Sequence, residues 1–171
     1  MTLSREDWVL AIVGQADYIE GATRLQKYAF LIAMSKSTKD VRRMGFYSDW
    51  KPSKYGPFSG DLADDIRKAK NESLIQAFPV TNEYGYKVDR FALTEKGRQR
   101  FEIVIKEIGQ VSSKIKGIVT GYNQSSLMDV LSDVYYLYPD YAIASVIKPE
   151  VDAKRSYESE LYLNPEWDES A

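Results

Sequence analysis

The chain opens with two segments whose apolar residues recur at helical spacing. The first predicts a helix over about residues 5–16, with Trp8 and Ile12 on its core face and Ser4 in position to cap it. The second, ATRLQKYAFLIAMS, predicts a helix whose apolar residues fall at i, i+3, i+4 and i+7: Leu25, Tyr28, Ala29 and Ile32. The polar residues of the second segment are expected on its other faces: Arg24, Gln26 and Lys27.

A stretch rich in aromatic residues and proline separates this pair from a third helix. Within it, GFYSDW predicts a short strand, and Pro52 and Pro57 are expected to stiffen the loop that follows. Ser59 is placed to cap the third helix, and Asp61 lies in its first turn, where a carboxylate favours the positive helix end. The apolar stripe of this helix is Leu62, Ile66 and Ala69.

The pattern then changes from helical to strand-like. We expect Asn71 to end the third helix in a left-handed conformation and Leu74 to return to the core. AFPVT and YKVDRFALT flank the turn residues NEYG, which predicts a β-hairpin. On its second strand Val88 is expected to face inward, and Lys87 and Arg90 outward.

The second half of the chain carries a long apolar seam. Its residues predict one helix whose core face extends over 101–118 and which ends near Gly117 or Gly121: Phe101, Val104, Ile105, Ile108, Val111, Ile115 and Ile118. This seam can pack on the rest of the domain or on a second copy of the chain. Another helix is predicted from about residue 126 to Pro139, followed by a short one over DYAIASVI.

This order of elements indicates an α+β fold that is mostly helical. Helix, helix, short strand, helix and hairpin is the order of a winged helix-turn-helix domain, which we place at residues 1–94. Residues 95–148 would form the long helix and a short helical bundle, packed on that domain or dimerising. Residues 149–171 are expected to be a loosely held acidic tail.

Composition limits the chemistry. The 171 residues include no cysteine and no histidine, so thiolate nucleophiles and the commonest transition-metal ligand are absent. Asp61 and Asp65 lie one helical turn apart, but helix capping explains Asp61 without a metal. We therefore expect no enzyme activity, no metal and no cofactor. The absence of cysteine fits a cytoplasmic protein, which is what we expect. No apolar run approaches the roughly 18–20 residues that span a bilayer, so we expect no membrane partner.

Charge is distributed unevenly along the chain. The net charge is −2, but residues 149–171 alone contribute −5, which leaves +3 on residues 1–148. Residues 36–54 carry a net charge of +4, whereas residues 59–75 around the third helix carry −1. The basic segment favours contact with an acidic partner, and the third helix does not.

Two functions from different classes fit this pattern. The first is binding of double-stranded DNA, whose phosphates attract basic side chains. The candidate DNA contacts are Arg42, Arg43, Lys51, Lys54, Arg67, Lys68, Lys87 and Arg90. The second is a protein-interaction module that docks a basic partner such as a toxin or nuclease. Its candidate contacts are Tyr55, Phe58, Asp61 and Asp64, although Tyr55 and Phe58 also suit a loop packed on the core.

Several of these segments together resemble a known family. RLQKYAFLIA, YGPFSGDLADDI and FALTEKGRQRF are similar to winged-helix proteins grouped with the SocA-like (Panacea) antitoxins and the YwgA-like proteins. The later stretch IVTGYNQSSLMDVLSDVYYLYPDYA resembles the C-terminal helices of the YwgA-like group. The resemblance implies a winged-helix fold in a regulator, a toxin-neutralising antitoxin or a protein associated with mobile elements.

Overall fold

Helix α1 (Asp7–Val13) lies at the centre of the molecule, and every one of its seven residues is buried. The computed structural model describes residues 3–153, and in it α1 is surrounded by later helices and by the sheet. The sequence predicted a longer helix with one core face. The helix is shorter and buried on all sides, which explains its nearly uninterrupted apolar sequence WVLAIV.

Helix α2 (Ala22–Met34) follows a two-residue strand, β1 (Ile19–Glu20), and matches the predicted range. The expectation for its polar residues was wrong, because all three are buried: Arg24, Gln26 and Lys27. Elements pack on several faces of α2, including α5, α6 and the segments that precede α3. Polar residues of α2 therefore lie inside the protein and find partners there.

The connection between α2 and α3 is more ordered than the sequence predicted. It contains a 3₁₀ segment (Lys36–Met44) and a ribbon of two antiparallel strands, β2 (Lys51–Ser53) and β3 (Gly56–Phe58). The strand predicted at GFYSDW was wrong. Phe46 and Tyr47 are instead adjacent core residues, with their rings packed edge to face 5.3 Å apart. Two consecutive buried side chains do not suit a strand with one solvent face.

Helix α3 (Gly60–Asn71) begins as predicted, because the Ser59 hydroxyl accepts a hydrogen bond from the backbone N–H of Leu62. Its predicted core face is confirmed, since Leu62, Ile66 and Ala69 are buried. The predicted stop was misplaced. The left-handed residue is Ser73, with a φ of 60°, and not Asn71.

The predicted hairpin is confirmed as β4 (Ile75–Thr81) and β5 (Lys87–Leu93), which pair antiparallel along their full length. Their turn is held by the Asn82 side chain, which accepts hydrogen bonds from the backbone N–H groups of Tyr84 and Tyr86. Strand β1 pairs with the outer side of β5, so the sheet order is β1-β5-β4. Thr94 ends β5 and caps the next helix.

The predicted long helix is two helices, α4 (Glu95–Ile108) and α5 (Val111–Asn123). Gly109 separates them with a φ of 62°, a conformation that interrupts a helix. Gly117 and Gly121, which were expected to end it, lie inside α5. The sequence alone did not mark Gly109 as the break, because the apolar spacing continues across it.

The last helix, α6 (Leu127–Leu137), is capped by Ser126 and ends before Pro139, as predicted. The short helix expected after it is only a 3₁₀ turn, Pro139–Tyr141. Residues 149–153 were assigned to a loose tail, but their backbone is helical and Val151 is buried. The rest of the predicted acidic tail, residues 154–171, lies outside the described residues.

Residues from α1 to the start of α6 share one hydrophobic core. The predicted seam belongs to it, with Phe101, Val104, Ile108, Val111 and Ile115 buried within the chain. The seam therefore faces its own domain, and the alternative of a homodimer formed through 101–118 does not agree with this burial. A second, smaller cluster of buried apolar residues joins the C-terminal half of α2 to α6.

The architecture is α+β, mostly helical, with a small antiparallel sheet. Within residues 3–153 no helix combines the length and the apolarity needed to cross a membrane.

Candidate nucleic-acid interface

Helix α3 has an outward face made of charged and polar residues. Asp64, Arg67, Lys68 and Asn71 recur there at helical spacing, and all four are exposed. Arg67 and Asp64 form an ion pair whose two side chains are 68% and 63% exposed. Exposure to water makes such a pair weak, so Arg67 remains able to exchange Asp64 for another anion.

The other acids of α3 are held on the side that faces α1. The Arg5 guanidinium contacts Asp61 at 3.0 Å and Asp65 at 2.7 Å. Asp65 also accepts a hydrogen bond of 2.8 Å from the Tyr47 hydroxyl. Burial alone would raise the pKa of Asp65, but the hydrogen bonds from Arg5 and Tyr47 hold it below its usual value.

These pairings change the electrostatic picture of α3. Its helix contains three acids and three bases, and Arg5 adds a positive charge that the sequence pattern did not assign to it. The group of α3 and Arg5 is therefore net +1. The acidic character that argued against a nucleic-acid contact belongs mainly to the side turned towards α1.

Asp49, in the loop that precedes α3, holds the N-terminus of the helix in place. Asp49 accepts hydrogen bonds from the Ser59 hydroxyl and, at 2.9 Å, from the backbone N–H of Asp61. Burial would raise the pKa of Asp49, but these two hydrogen bonds keep it below its usual value. The first turn of the helix is thus positioned from outside the helix as well as by Ser59.

Two buried side chains of α2 clamp the loop that leads into α3. The Gln26 amide donates to the Ser59 carbonyl and accepts from the Ser59 N–H, both at 2.9 Å. Lys27 donates from Nζ to the Pro57 carbonyl at 2.9 Å and is only 2% exposed. Its burial lowers the pKa of Lys27 to about 7.

A cleft of about 370 Å³ opens beside this clamp. Helix α2, the β2–β3 ribbon, α3 and β5 all contribute to its walls. Two of the predicted DNA contacts, Lys54 and Arg67, line it together with Lys27 and Lys70. Phe58, a predicted partner contact, is half-buried in the same wall.

The two basic residues predicted on the hairpin lie in different environments. Lys87 is exposed where β5 leaves the turn. Arg90 is engaged within the sheet, paired with Glu20 at 3.2 Å and stacked 4.3 Å from the centre of the Tyr18 ring. Exposed aromatic side chains flank the turn of the hairpin: Phe78, Tyr84 and Tyr86.

The basic residues predicted before α3 also separate. Arg42 donates from Nε to the Ala33 carbonyl at 3.1 Å, which closes the end of α2. Arg43 is 81% exposed and paired with Asp40. Both belong to the 3₁₀ segment, which packs on α2 and α5, whereas the exposed Lys51 and Lys54 belong to the ribbon. The eight predicted contacts therefore lie in several places.

The predicted protein-docking residues are also divided. Tyr55 is 45% exposed at the tip of the ribbon. Asp61 and Asp64 are each occupied by an ion pair, with Arg5 and Arg67 respectively. An acidic surface on α3 is thus partly neutralised within the chain.

Four side chains that organise this region were not predicted as functional: Arg5, Gln26, Lys27 and Asp65. Arg5 precedes α1 by two residues, and its partners lie 56 and 60 positions further along the chain. No sequence spacing reveals such a pair. Gln26 and Lys27 gave no signal because α2 is buried on several faces, so its polar residues do not mark a solvent face.

Among residues 3–153, no group of three or more acids is placed to hold a metal ion. Comparisons of the chain with protein-family models, with curated proteins and with solved structures find no match.

Proposed function

We propose that the protein binds duplex DNA as a regulator or antitoxin-like protein that uses a winged helix-turn-helix. In this interpretation α3 is the recognition helix and the β4–β5 hairpin is the wing. The order of α1, β1, α2, α3, β4 and β5 supports it, as does the pairing of β1 with β5. The ribbon and the 3₁₀ segment are then insertions between the two helices of the motif.

The observation that carries the proposal is the sorting of charge on α3. Two of its three acids, Asp61 and Asp65, are bound by Arg5, whereas three bases are exposed beside the single exposed acid Asp64: Arg67, Lys68 and Lys70. Phosphate contacts supply most non-specific affinity for DNA, so the basic side of α3 suits the major groove. Lys87 at the wing and Lys51 and Lys54 in the ribbon extend the same basic character.

Fluorescence anisotropy with a labelled duplex of about 30 base pairs tests this proposal. Replacing Arg67 and Lys68 together by glutamine removes two charges from α3, and we expect affinity at low salt to fall about tenfold. The matched control replaces Lys114 and Lys116, exposed lysines of α5, by glutamine. An equal loss of affinity in both double variants would show that any DNA binding is not made through α3.

Docking of another protein is the second candidate function. Four strongly exposed apolar side chains near the end of α6 favour it: Tyr136, Leu137, Ile143 and Val146, at 67%, 56%, 75% and 60% exposure. This group is separate from the predicted docking residues Tyr55, Phe58, Asp61 and Asp64. Failure to bind any duplex at low salt, with the fold intact, would favour this function over DNA binding.

A further inference from the structure

The cleft beside the α2 clamp has the dimensions of a small-molecule site. Its volume of about 370 Å³ lies within the roughly 300–1,000 Å³ typical of ligand pockets. Much of its wall is apolar: Ala22, Phe58, Ala63, Ile66 and Phe91. Pockets of this kind bind the apolar body of a ligand and orient it with a few polar groups.

The polar groups around this cleft are mainly cationic. Lys27, Lys54, Arg67 and Lys70 all line it, and the single acid among the described lining residues is Asp89. Lys54, Arg67 and Lys70 are exposed at their positions, whereas Lys27 is almost completely buried. The charge of the cleft is therefore suited to an anion.

Lys27 is the most informative of these residues. Within residues 3–153 its ammonium has one hydrogen-bond acceptor, the Pro57 carbonyl, although it can donate three hydrogen bonds. No carboxylate in that range forms an ion pair with it. A buried charge without a counter-ion is destabilising, and a hydrophobic side chain of similar length would fill the same space more favourably.

The hydrogen bonds of the neighbouring residue, Gln26, argue against a purely structural role for Lys27. Gln26 already fastens the loop to α2 through two hydrogen bonds with Ser59. The bond from Lys27 to Pro57 adds a third fastening two residues away. The loop is thus held without Lys27, and a buried amine at this position calls for another explanation.

We propose that this cleft binds a small organic anion, with its carboxylate or phosphate against Lys27 and its apolar body between Phe58 and Ile66. Lys54, Arg67 and Lys70 stand around the cleft and add to the attraction for the anion. The ligand would contact α2, the ribbon and α3 at once, since all three line the cleft. This site does not depend on the proposed DNA binding, and it is tested without DNA.

Isothermal titration calorimetry with three probes of similar size tests the site on the full chain. Phenyl phosphate and benzoate carry the two candidate head groups, and benzyl alcohol is the neutral control. We expect at least one anion to bind about tenfold or more tightly than the alcohol, because hydrogen bonds to charged groups are stronger than neutral ones. The anion that binds identifies the head group. Equal binding of all three probes, or none, would overturn the proposal.

Substitutions locate the binding. Lys27→Met should weaken the preferred anion about tenfold or more, because it removes the buried ammonium while keeping the side-chain length. Lys116→Met, on the exposed face of α5, is the matched control and should leave binding within about twofold. If Lys27→Met does not fold, Arg67→Gln at the edge of the cleft should weaken the anion by about threefold. Unchanged affinity in the folded Lys27 variant would overturn the assignment.

Proton uptake supplies a readout that a structural lysine would not give. The ionisable groups that line the cleft with Lys27 are Lys54, Tyr55, Arg67, Lys70 and Asp89. Burial lowers the pKa of Lys27 to about 7, and an adjacent anion would raise it. Titrations at pH 8 in buffers of different ionisation enthalpy should therefore show proton uptake by the wild-type protein. The same measurement on Lys27→Met should show none, and equal uptake in both proteins would contradict the role of Lys27.

Discussion

The two long sides of α3 differ in how the buried charges beside them are paired. On the side that faces α1, Asp65 is buried and fully engaged by Arg5 and Tyr47. On the side that faces the cleft, Lys27 of α2 is buried with a single carbonyl as its partner in the described residues. Among residues 3–153, the charges on the first side are paired with one another, whereas Lys27 on the second side has no counter-ion.

This difference suggests that the paired charges serve stability and that the other charges serve function. Charges that the chain pairs internally hold α3 against α1 and fix the direction in which the helix points. A charge such as that of Lys27, which has no counter-ion in the part of the chain that the structure describes, remains available to a ligand. So does a charge in a weak exposed pair, such as Arg67 with Asp64. The acids of α3 are therefore mainly structural, and its bases are the groups from which we propose function.

Loss of the buried carboxylate should have the largest effect. Asp65→Asn keeps the shape of the side chain but removes the buried one of the two carboxylates that pair with Arg5. We expect the free energy of unfolding to fall by about 3 kcal/mol, because the charge-assisted hydrogen bonds that buried Asp65 accepts from Arg5 and Tyr47 are weakened. Chemical denaturation measures this change.

The matched control for that variant is Asp64→Asn on the exposed face of the same helix. It should change unfolding free energy by less than about 0.5 kcal/mol, because its pair with Arg67 is exposed to water. Similar losses in the two variants would mean that the two sides of α3 do not differ as described.

Replacing Lys27 should raise the free energy of unfolding, whereas replacing Asp65 should lower it. The pKa of Lys27 is about 7 in the folded protein, so between pH 7 and about 10.4 the unfolded chain binds more protons and stability rises with pH. Lys27→Met removes this dependence. The variant should be more stable than wild type at pH 6, and its advantage should shrink by about 2–3 kcal/mol by pH 9.5. An advantage independent of pH would show that Lys27 is not buried as a charge.

A carboxylate pair at the far end of α3 gives a smaller effect. Burial and the nearby Glu72 raise the pKa of Glu6 from 4.5 to about 7. The stability that Glu6 contributes is fully present below about pH 4.5 and is lost as the pH rises through 7. Glu6→Gln should gain about 1–2 kcal/mol over wild type between pH 4.5 and pH 8. Parallel pH profiles of the two proteins would contradict this.

The smallest expected effect concerns DNA. Asp64→Asn removes the acid that faces outward on α3 and releases Arg67 from its pair. If α3 enters the groove, affinity for a duplex at low salt should rise about threefold, because one repulsive charge is lost. Asp40→Asn, which releases Arg43 in the 3₁₀ segment, is the matched comparison. A gain of DNA affinity only in the Asp40 variant would indicate that the interface lies at the 3₁₀ segment and not at α3.

The sequence predicted those parts of the fold that depend on neighbours in the chain. The Ser59 cap, the core face of α3 and the β4–β5 hairpin follow from local spacing and turn residues. The break at Gly109 did not, because apolar spacing persists through it and only its left-handed φ ends α4. The strand expected at GFYSDW failed for a similar reason, since burial of Phe46 and Tyr47 depends on distant packing.

The candidate site was less predictable than the fold. Exposed bases such as Arg67 and Lys68 are visible in the sequence, but their partners are not. Arg5 reaches α3 across about 60 positions of chain, and it changes the net charge of the helix region. Lys27 lies on a helix buried on several faces, where a polar residue has no preferred side. Long-range pairing of this kind requires the tertiary structure.

The most direct test of DNA binding is a salt series with the purified protein and a pool of random duplexes. We expect binding at low salt. The logarithm of the association constant should fall against the logarithm of salt concentration with a slope of about −3.6 to −4.5, the value for four to five neutralised phosphates. Sequences enriched from the pool would then identify the site read by α3. Absence of binding at the lowest salt, from a protein that is folded, would contradict the DNA-binding function.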